Sequence, residues 1–208
     1  VTDTSVVLAD VDDSLAAWLR AALPDGTRID FGSPAALIDY RRTGRSPCTV
    51  NLFLYDIVED VTGVAASSVY VRGADGRVLG TQTPLRQYRL SYLITAWATD
   101  AAEEHRVLGL ILAAHSGQDV LTGDWLHGGL RELNIAIPVR LGAHQSGPTE
   151  PATWAALGIP ARTSIELSVI APVPPVLHTD IAPPVRQVGL DVADIGRPDQ
   201  PRTVRELP

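Results

Sequence analysis

The sequence predicts an α+β protein: an α/β-type mixed sheet with helices packed on it over residues 1–172, then a proline-rich C-terminal extension or arm over 173–208. Three observations carry this. From Tyr88 to Trp97 apolar residues alternate, with Tyr88, Leu90, Tyr92, Ile94 and Ala96 on one face, the period-two pattern of a strand. Asp100 then stands three residues before Glu103, the spacing of a capping box at a helix start. Finally, PVPPV and APPV between Ala171 and Pro184 mark a change of composition, because proline at that density removes backbone donors and favours extended chain.

The elements follow in order. Leu8, Val11, Leu15, Trp18, Leu19 and Ala22 form one stripe of a first helix, with Asp3, Thr4 or Ser5 as its cap and Pro24 and Gly26 as its end. Thr27 to Phe31 reads as a short strand. Gly32 to Pro47 is punctuated by Pro34, Gly44 and Pro47 and reads as a loop carrying Arg41, Arg42 and Arg45. This small basic spot is either a solvated surface or a contact for an acidic neighbour.

Cys48 to Ile57 is apolar on both faces, the pattern of a strand in the middle of a covered sheet. Glu59 to Ser68 reads as a loop. Val69–Arg72 and Arg77–Leu79 flank Gly73-Ala74-Asp75-Gly76, a hairpin turn. After the long strand, the helix opened by Asp100 places Val107, Leu108, Ile111 and Leu112 on one stripe and stops at Gly117. Gly123 to Gly129 is rich in turns. Leu133 to Leu141 alternates again, with Pro138 arguing for an edge or a bulge. Thr149 to Leu157 reads as a short helix ended by Gly158, and Ser164 to Ile170 as a last strand. No internal repeat is present.

Composition narrows the function classes. The chain has 208 residues, 45% apolar and 20% charged, with net charge −7. That is a globular composition, and an acidic one without electrostatic reason to seek nucleic acid or an anionic membrane. No apolar run approaches the ~20 residues of a membrane span, and Val1 to Ala22 is amphipathic and acidic, so no secretory leader is expected. Cys48 is the one cysteine; it reads as a small buried hydrophobe and suits a reducing cytoplasm. Every basic residue is arginine, which reads as high-GC bacterial codon usage.

Catalytic and metal patterns do not assemble. His105, His115, His127, His144 and His178 have no ligand spacing such as HExxH. No GxSxG, GxxxxGK[ST] or GxGxxG occurs. His127-Gly128-Gly129 is slightly like an oxyanion loop but has no nucleophile elbow to serve, so it reads as a turn. Glu103 and Glu104 sit where a helix dipole favours carboxylates, which explains them without acid–base chemistry. Trp18, Trp97, Trp125 and Trp154 read as core aromatics. No enzyme activity, cofactor or metal is expected.

Four segments together resemble one family. VNLFLYDI at 50–57, LSYLITAWA at 90–98, EHRVLGLIL at 104–112 and SIELSVIAP at 164–172 are similar, in that order, to segments of the tail-terminator, or cap, proteins of phage-tail-like contractile injection systems. The resemblance implies a tail-terminator-like single domain and a structural role: a ring, sixfold by analogy, on the distal end of an inner tube and its contractile sheath, ending their polymerisation. The implied partners are further copies of itself, the inner tube protein and the sheath protein, with no nucleic acid and no membrane. Assembly would take place in the cytoplasm, into a particle that is released or retained. Subunits of such a ring meet head-to-tail through two different patches, and exposed strand edges are natural docking points. Candidate interface residues are Arg41, Arg42 and Arg45 in the basic spot, and Pro172, Val173, Pro174, Pro175, Val176, Leu177 and Ile181 in the arm. The alternatives are another adaptor ring of the same particle, or a small cytoplasmic hydrolase, for which the sequence supplies no converging polar set.

Overall fold

The computed structural model describes residues 7–42, 47–62, 67–142 and 150–180. The elements are α1 (Val7–Ala22), β1 (Arg28–Asp30), α2 (Ala35–Arg42), β2 (Thr49–Asp60), β3 (Val69–Arg72), β4 (Val78–Gln82), β5 (Arg86–Trp97), α3 (Ala101–Gly117), β6 (Val120–Leu121), a 3-10 turn at Gly123–Trp125, α4 (Gly128–Leu133), β7 (Ile137–Leu141), α5 (Glu150–Leu157), β8 (Ser164–Val173) and β9 (Leu177–His178). The chain divides into two compact units, Val1–Ser67 with Pro84–Val176, and Ser68–Thr83 with Leu177–Pro208.

The first unit is built on a six-stranded sheet of order β1-β2-β5-β8-β7-β6. β1 runs parallel to β2, and the remaining pairs are antiparallel. β5 is the spine: Leu90, Tyr92, Ile94 and Ala96 are buried together with Val50 and Leu52 of β2 and Leu167, Val169 and Ala171 of β8. α1 and α3 close that core with Val11, Leu15, Trp18, Leu19, Val107, Leu108 and Ile111. Each such side chain withdrawn from water contributes roughly 1.5–3 kcal/mol before conformational entropy is charged against it. The other face of β5 is buried as well, through Leu93, Thr95 and Trp97.

Several local expectations are corrected. Leu8 and Leu112 are exposed, at 43% and 48%, because each lies at the margin of its helix stripe. Arg41 and Arg42 stand in α2 and not in a loop; Pro34 falls before the first turn of that helix, where a missing N–H costs nothing. β2 runs through Asp60, past the expected loop start. The last alternating stretch splits. α4 takes it up to Leu133, Asn134 leaves in a left-handed conformation (φ 49°), and only Ile137–Leu141 is strand. The expected caps of α1 lie outside the described residues.

The β2–β5 ladder contains a bulge. Leu54 faces Tyr92 and Asp56 faces Ser91, so Tyr55 is the extra residue. A bulge shifts the side-chain alternation by one position, and it sets Ile57 opposite Leu90 rather than on the face of Phe53.

The second unit holds a three-stranded antiparallel sheet of order β3-β4-β9. Its hairpin turn is the expected one. Gly76, at φ +77°, donates to the Gly73 carbonyl at 3.0 Å, and Gly73 donates to that of Arg77 at 2.8 Å. Gly80 is a place where no side chain fits, since a Cβ there would collide with the His178 carbonyl oxygen of β9.

Candidate assembly surface

Exposed apolar side chains gather on particular strands. In the first unit Ile57 and Val58 of β2 are exposed, and Val61 just beyond is 74% exposed. In the second, Val69 and Tyr70 of β3, Leu79 of β4 and Leu177 of β9 are exposed. Single exposed apolars are ordinary; these are of interest because they lie on, or just beyond, strands with an unladdered side among the described residues.

Strand edges accompany them. β1 covers only Thr49, Val50 and Asn51 of β2. Among the described residues, Leu52–Asp60 is therefore laddered on the β5 side alone. β3 is laddered on the β4 side alone. Each edge presents backbone N–H and C=O groups that a further strand can bind.

Charge on the β2 edge is organised from β5. Arg86 pairs with Glu59, and Arg89 with Asp60 at 3.5 Å. Hydrogen bonds from Thr62, with Arg89 adding to them, hold the Asp60 carboxyl below its ordinary pKa. Tyr55 Oη donates to Glu166 Oε1 at 2.7 Å, tying the bulge to β8. Burial, and next that carboxylate, push the Tyr55 hydroxyl well above its usual pKa, so it stays protonated and a donor. On β3, the Arg72 guanidinium donates to the Gly76 carbonyl at 3.0 Å.

The sequence-derived interface residues fall in different places. Arg41 and Arg42 close α2, which precedes the Thr49 end of β2. Pro172 and Val173 are the last two residues of β8, paired with Gln87 and Arg86; Gln87 is in turn level with Asp60, at the opposite end of β2. Pro174 and Pro175 are half-buried, while Val176 is 44% exposed. Leu177 belongs to β9 and pairs with Gln82. Arg45 and Ile181 lie outside the described residues. Ile57, Val58, Val69 and Tyr70, exposed in the structure, are not among the sequence-derived candidates.

The remaining polar groups hold the scaffold. Asp100 Oδ1 accepts from the Glu103 N–H at 2.9 Å, as a cap should. The Glu103 carboxylate pairs with Arg106, and Glu104 binds Arg162 at 2.5 Å and the Ala98 N–H at 3.4 Å. Arg162 also lies over the Trp97 ring, 4.2 Å from its centroid. His115 contacts the Val139 carbonyl at 3.1 Å and His105 the Thr163 hydroxyl at 3.4 Å. Trp18, Trp97 and Trp154 are buried, and Trp125 packs against the core. Among the described residues no group of three His, Cys, Asp or Glu is placed to hold a metal ion, and no helix is long and apolar enough to cross a membrane.

Residues 10–187 match the family model described as the Pvc16 N-terminal domain. Several solved structures share the fold, two terminators among them. One is the cryo-EM structure of the sheath/tube terminator of an extracellular contractile injection system, PVC, in its extended state. It is 26% identical, with a TM-score of 0.61, over 90% of this chain and 63% of that one. The other is the tube-terminating cap of the anti-feeding prophage, AFP, 23% identical with a TM-score of 0.60, over 88% of this chain and 61% of that one. This chain thus spans less than two thirds of the length of either. No curated protein matches.

Proposed function

The chain belongs to the Pvc16 N-terminal domain family, and on that premise we propose that it is the structural cap of a contractile injection particle, a ring seated on the distal end of the inner tube and sheath. The observation that carries the reading is the likeness, over 90% of the chain, to a protein described as a sheath/tube terminator. The four segments that resemble the cap family are β2, β5, α3 and β8, the framework of the first unit.

The physical task is to stop growth. A tube lengthens because each ring offers a surface complementary to the next. A cap matches the exposed ring on one side and offers no copy of that surface on the other. The work is done by shape and contact and needs no catalysis, cofactor or metal. Its partners are the tube protein, the sheath protein and further copies of itself in a ring, six by analogy with the symmetry of such tubes. The chain assembles with them in the cytoplasm, before the particle is released or retained. The basic residues Arg41, Arg42 and Arg45 and the segment from Pro172 through Ile181 are contact candidates, the latter as the base of an arm reaching across a subunit boundary or toward the sheath.

The test is the length distribution of sheathed tubes in cells lacking the gene, read by electron microscopy. Overlong, unevenly ended tubes, returned to uniform length by the restored gene, are the expected result. Tubes of normal length with normal ends would overturn the reading and leave an adaptor ring as the next hypothesis.

A further inference from the structure

We propose that copies of this chain join head-to-tail by strand pairing, the open edge of β2 in one copy accepting β3 of the next. The inference rests on the ring reading above and specifies its interface. Both edges are laddered on one side only among the described residues, and both carry exposed apolar side chains. One chain therefore owns both halves of the contact, on two different strands. A contact of that kind repeats from copy to copy and closes into a ring if the rotation is right.

The two edges match in an antiparallel register. Setting Arg72 opposite Asp56 places Val71 opposite Ile57, Tyr70 opposite Val58 and Val69 opposite Glu59. Alternation holds across the joint. Asp56 and Val58 lie on the Ser91 and Arg89 face of the main sheet, and Ile57 and Glu59 on the Leu90 and Tyr88 face. The bulge at Tyr55 sets which face of the main sheet the joint's apolar residues occupy, since it brings Ile57 onto the Leu90 face. Apolar cross-strand pairs and an opposite-charge pair are the contacts that stabilise a ladder. The occupant is a second copy because apolar pattern and charge are complementary within the one chain: the acidic Asp56 on β2, the exposed basic Arg72 on β3.

Directly opposed residues in antiparallel strands have Cα atoms about 4.5–5.5 Å apart, inside the disulfide range. The test uses full-length protein in purified particles, with Cys48→Ala as background. Under mild oxidation, Val58→Cys with Tyr70→Cys in one chain should give a ladder of cross-linked multimers. Val58→Cys alone and Tyr70→Cys alone should give none, and co-expressed single variants should give dimers and no larger species. Independently, Asp56→Arg or Arg72→Asp should reduce the amount of this protein on particles at least several-fold, and the double swap should restore it. Protein that sits at the tube ends without cross-linking, and with a swap that fails to restore, overturns the strand pairing and leaves the cap reading intact. Particles that carry none of this protein at their ends overturn both.

Discussion

Tyr92 Oη donates to Asp12 Oδ1 at 2.8 Å, joining the middle of β5 to the second turn of α1. Tyr92 is fully buried and Asp12 partly so. The bond fixes α1 over the sheet at a point where the surrounding contacts, made by apolar side chains, would tolerate sliding. Burial holds the Tyr92 hydroxyl well above its ordinary pKa, with the Asp12 carboxylate adding to the effect.

Burial also raises the Asp12 carboxyl above its ordinary pKa, the Tyr92 bond opposing this and Asp13 adding to it. The native state therefore holds this proton more tightly than the unfolded chain. The stability linked to Asp12 is full below the unfolded carboxylate value, about 4, and falls as pH rises toward the folded value. Tyr92→Phe removes the opposing bond and raises the folded value further. The variant should lose about 1–2 kcal/mol near pH 7, on the scale of a hydrogen bond to a partly screened charge, and less near pH 4. Urea midpoints at both pH values read this out; equal losses would show that the bond is not coupled to Asp12 ionisation.

Gly128 begins α4 at φ +51°, and a Cβ there would run into the Asp10 carboxylate. The same carboxylate accepts from the Gly129 N–H at 2.8 Å, and the Ser14 hydroxyl accepts from the His127 N–H at 3.0 Å. α1 thus supplies the acceptors that α4 lacks. Gly128→Ala should lose more than the roughly 1–2 kcal/mol of a left-handed non-glycine residue, because the clash adds to it. Asp10→Ala should lose about 0.5–2 kcal/mol as a missing cap. The double variant should be less unstable than the sum of the two, since removing Asp10 relieves the collision; strict additivity in thermal melts would rule the collision out.

The long strand β5 and the helix α3 were legible because their signals are local. Ten alternating residues and an Asp three positions before a Glu need no knowledge of the neighbours. The hairpin around Gly73–Gly76 was legible for the same reason. β2 was legible in part: it lies between β1 and β5, a central strand as its apolar faces suggest, but the extent of its pairing was not. Face burial and edge pairing are separate properties, and only the ladder shows that, among the described residues, β1 covers no more of β2 than Thr49–Asn51. The bulge at Tyr55 was likewise invisible, because the sequence alone does not say which of two consecutive apolar residues the partner strand skips. The start of α4 was misread because two glycines look like a turn until Asp10, 119 residues away, is seen to cap them. Candidate contacts at Arg41 and Pro172 rest on composition, which ranks residue types and carries no information on strand pairing.

The Arg162 guanidinium links the strand-to-helix corner to the segment leading into β8, binding Glu104 while lying over Trp97. Trp97 Nε1 in turn donates to Thr95 Oγ1 at 2.9 Å. Arg162→Lys keeps the charge but loses the planar group that stacks and bonds at once. It should lower stability by about 1 kcal/mol, and Arg162→Ala by about 2, the ion pair being partly open to solvent and so discounted. For a domain of this size these losses correspond to roughly 2–4 °C per kcal/mol in melting temperature. If lysine restores full stability, charge alone carries the contact and the stacking contributes nothing.

Two truncations separate the fold from the arm. A chain ending at Asp180 keeps β8 and β9; a chain ending at Pro175 keeps β8 and loses β9. β8 is laddered to β5 through Val173, so both chains should retain the first unit, with thermal melts close to that of the full chain. Loss of β9 uncovers Thr81 and Gln82 of β4, so proteolysis within Ser68–Thr83 should be faster in the shorter chain only. If the segment beyond Asp180 reaches across a subunit boundary, both truncations should still fold yet fail to restore uniform tube length in cells lacking the gene. Restoration by the chain ending at Asp180 would show that the arm is dispensable and that capping resides in the sheets. Unfolding of the first unit on truncation at Pro175 would show instead that the segment is part of the core, and the arm would have to be abandoned.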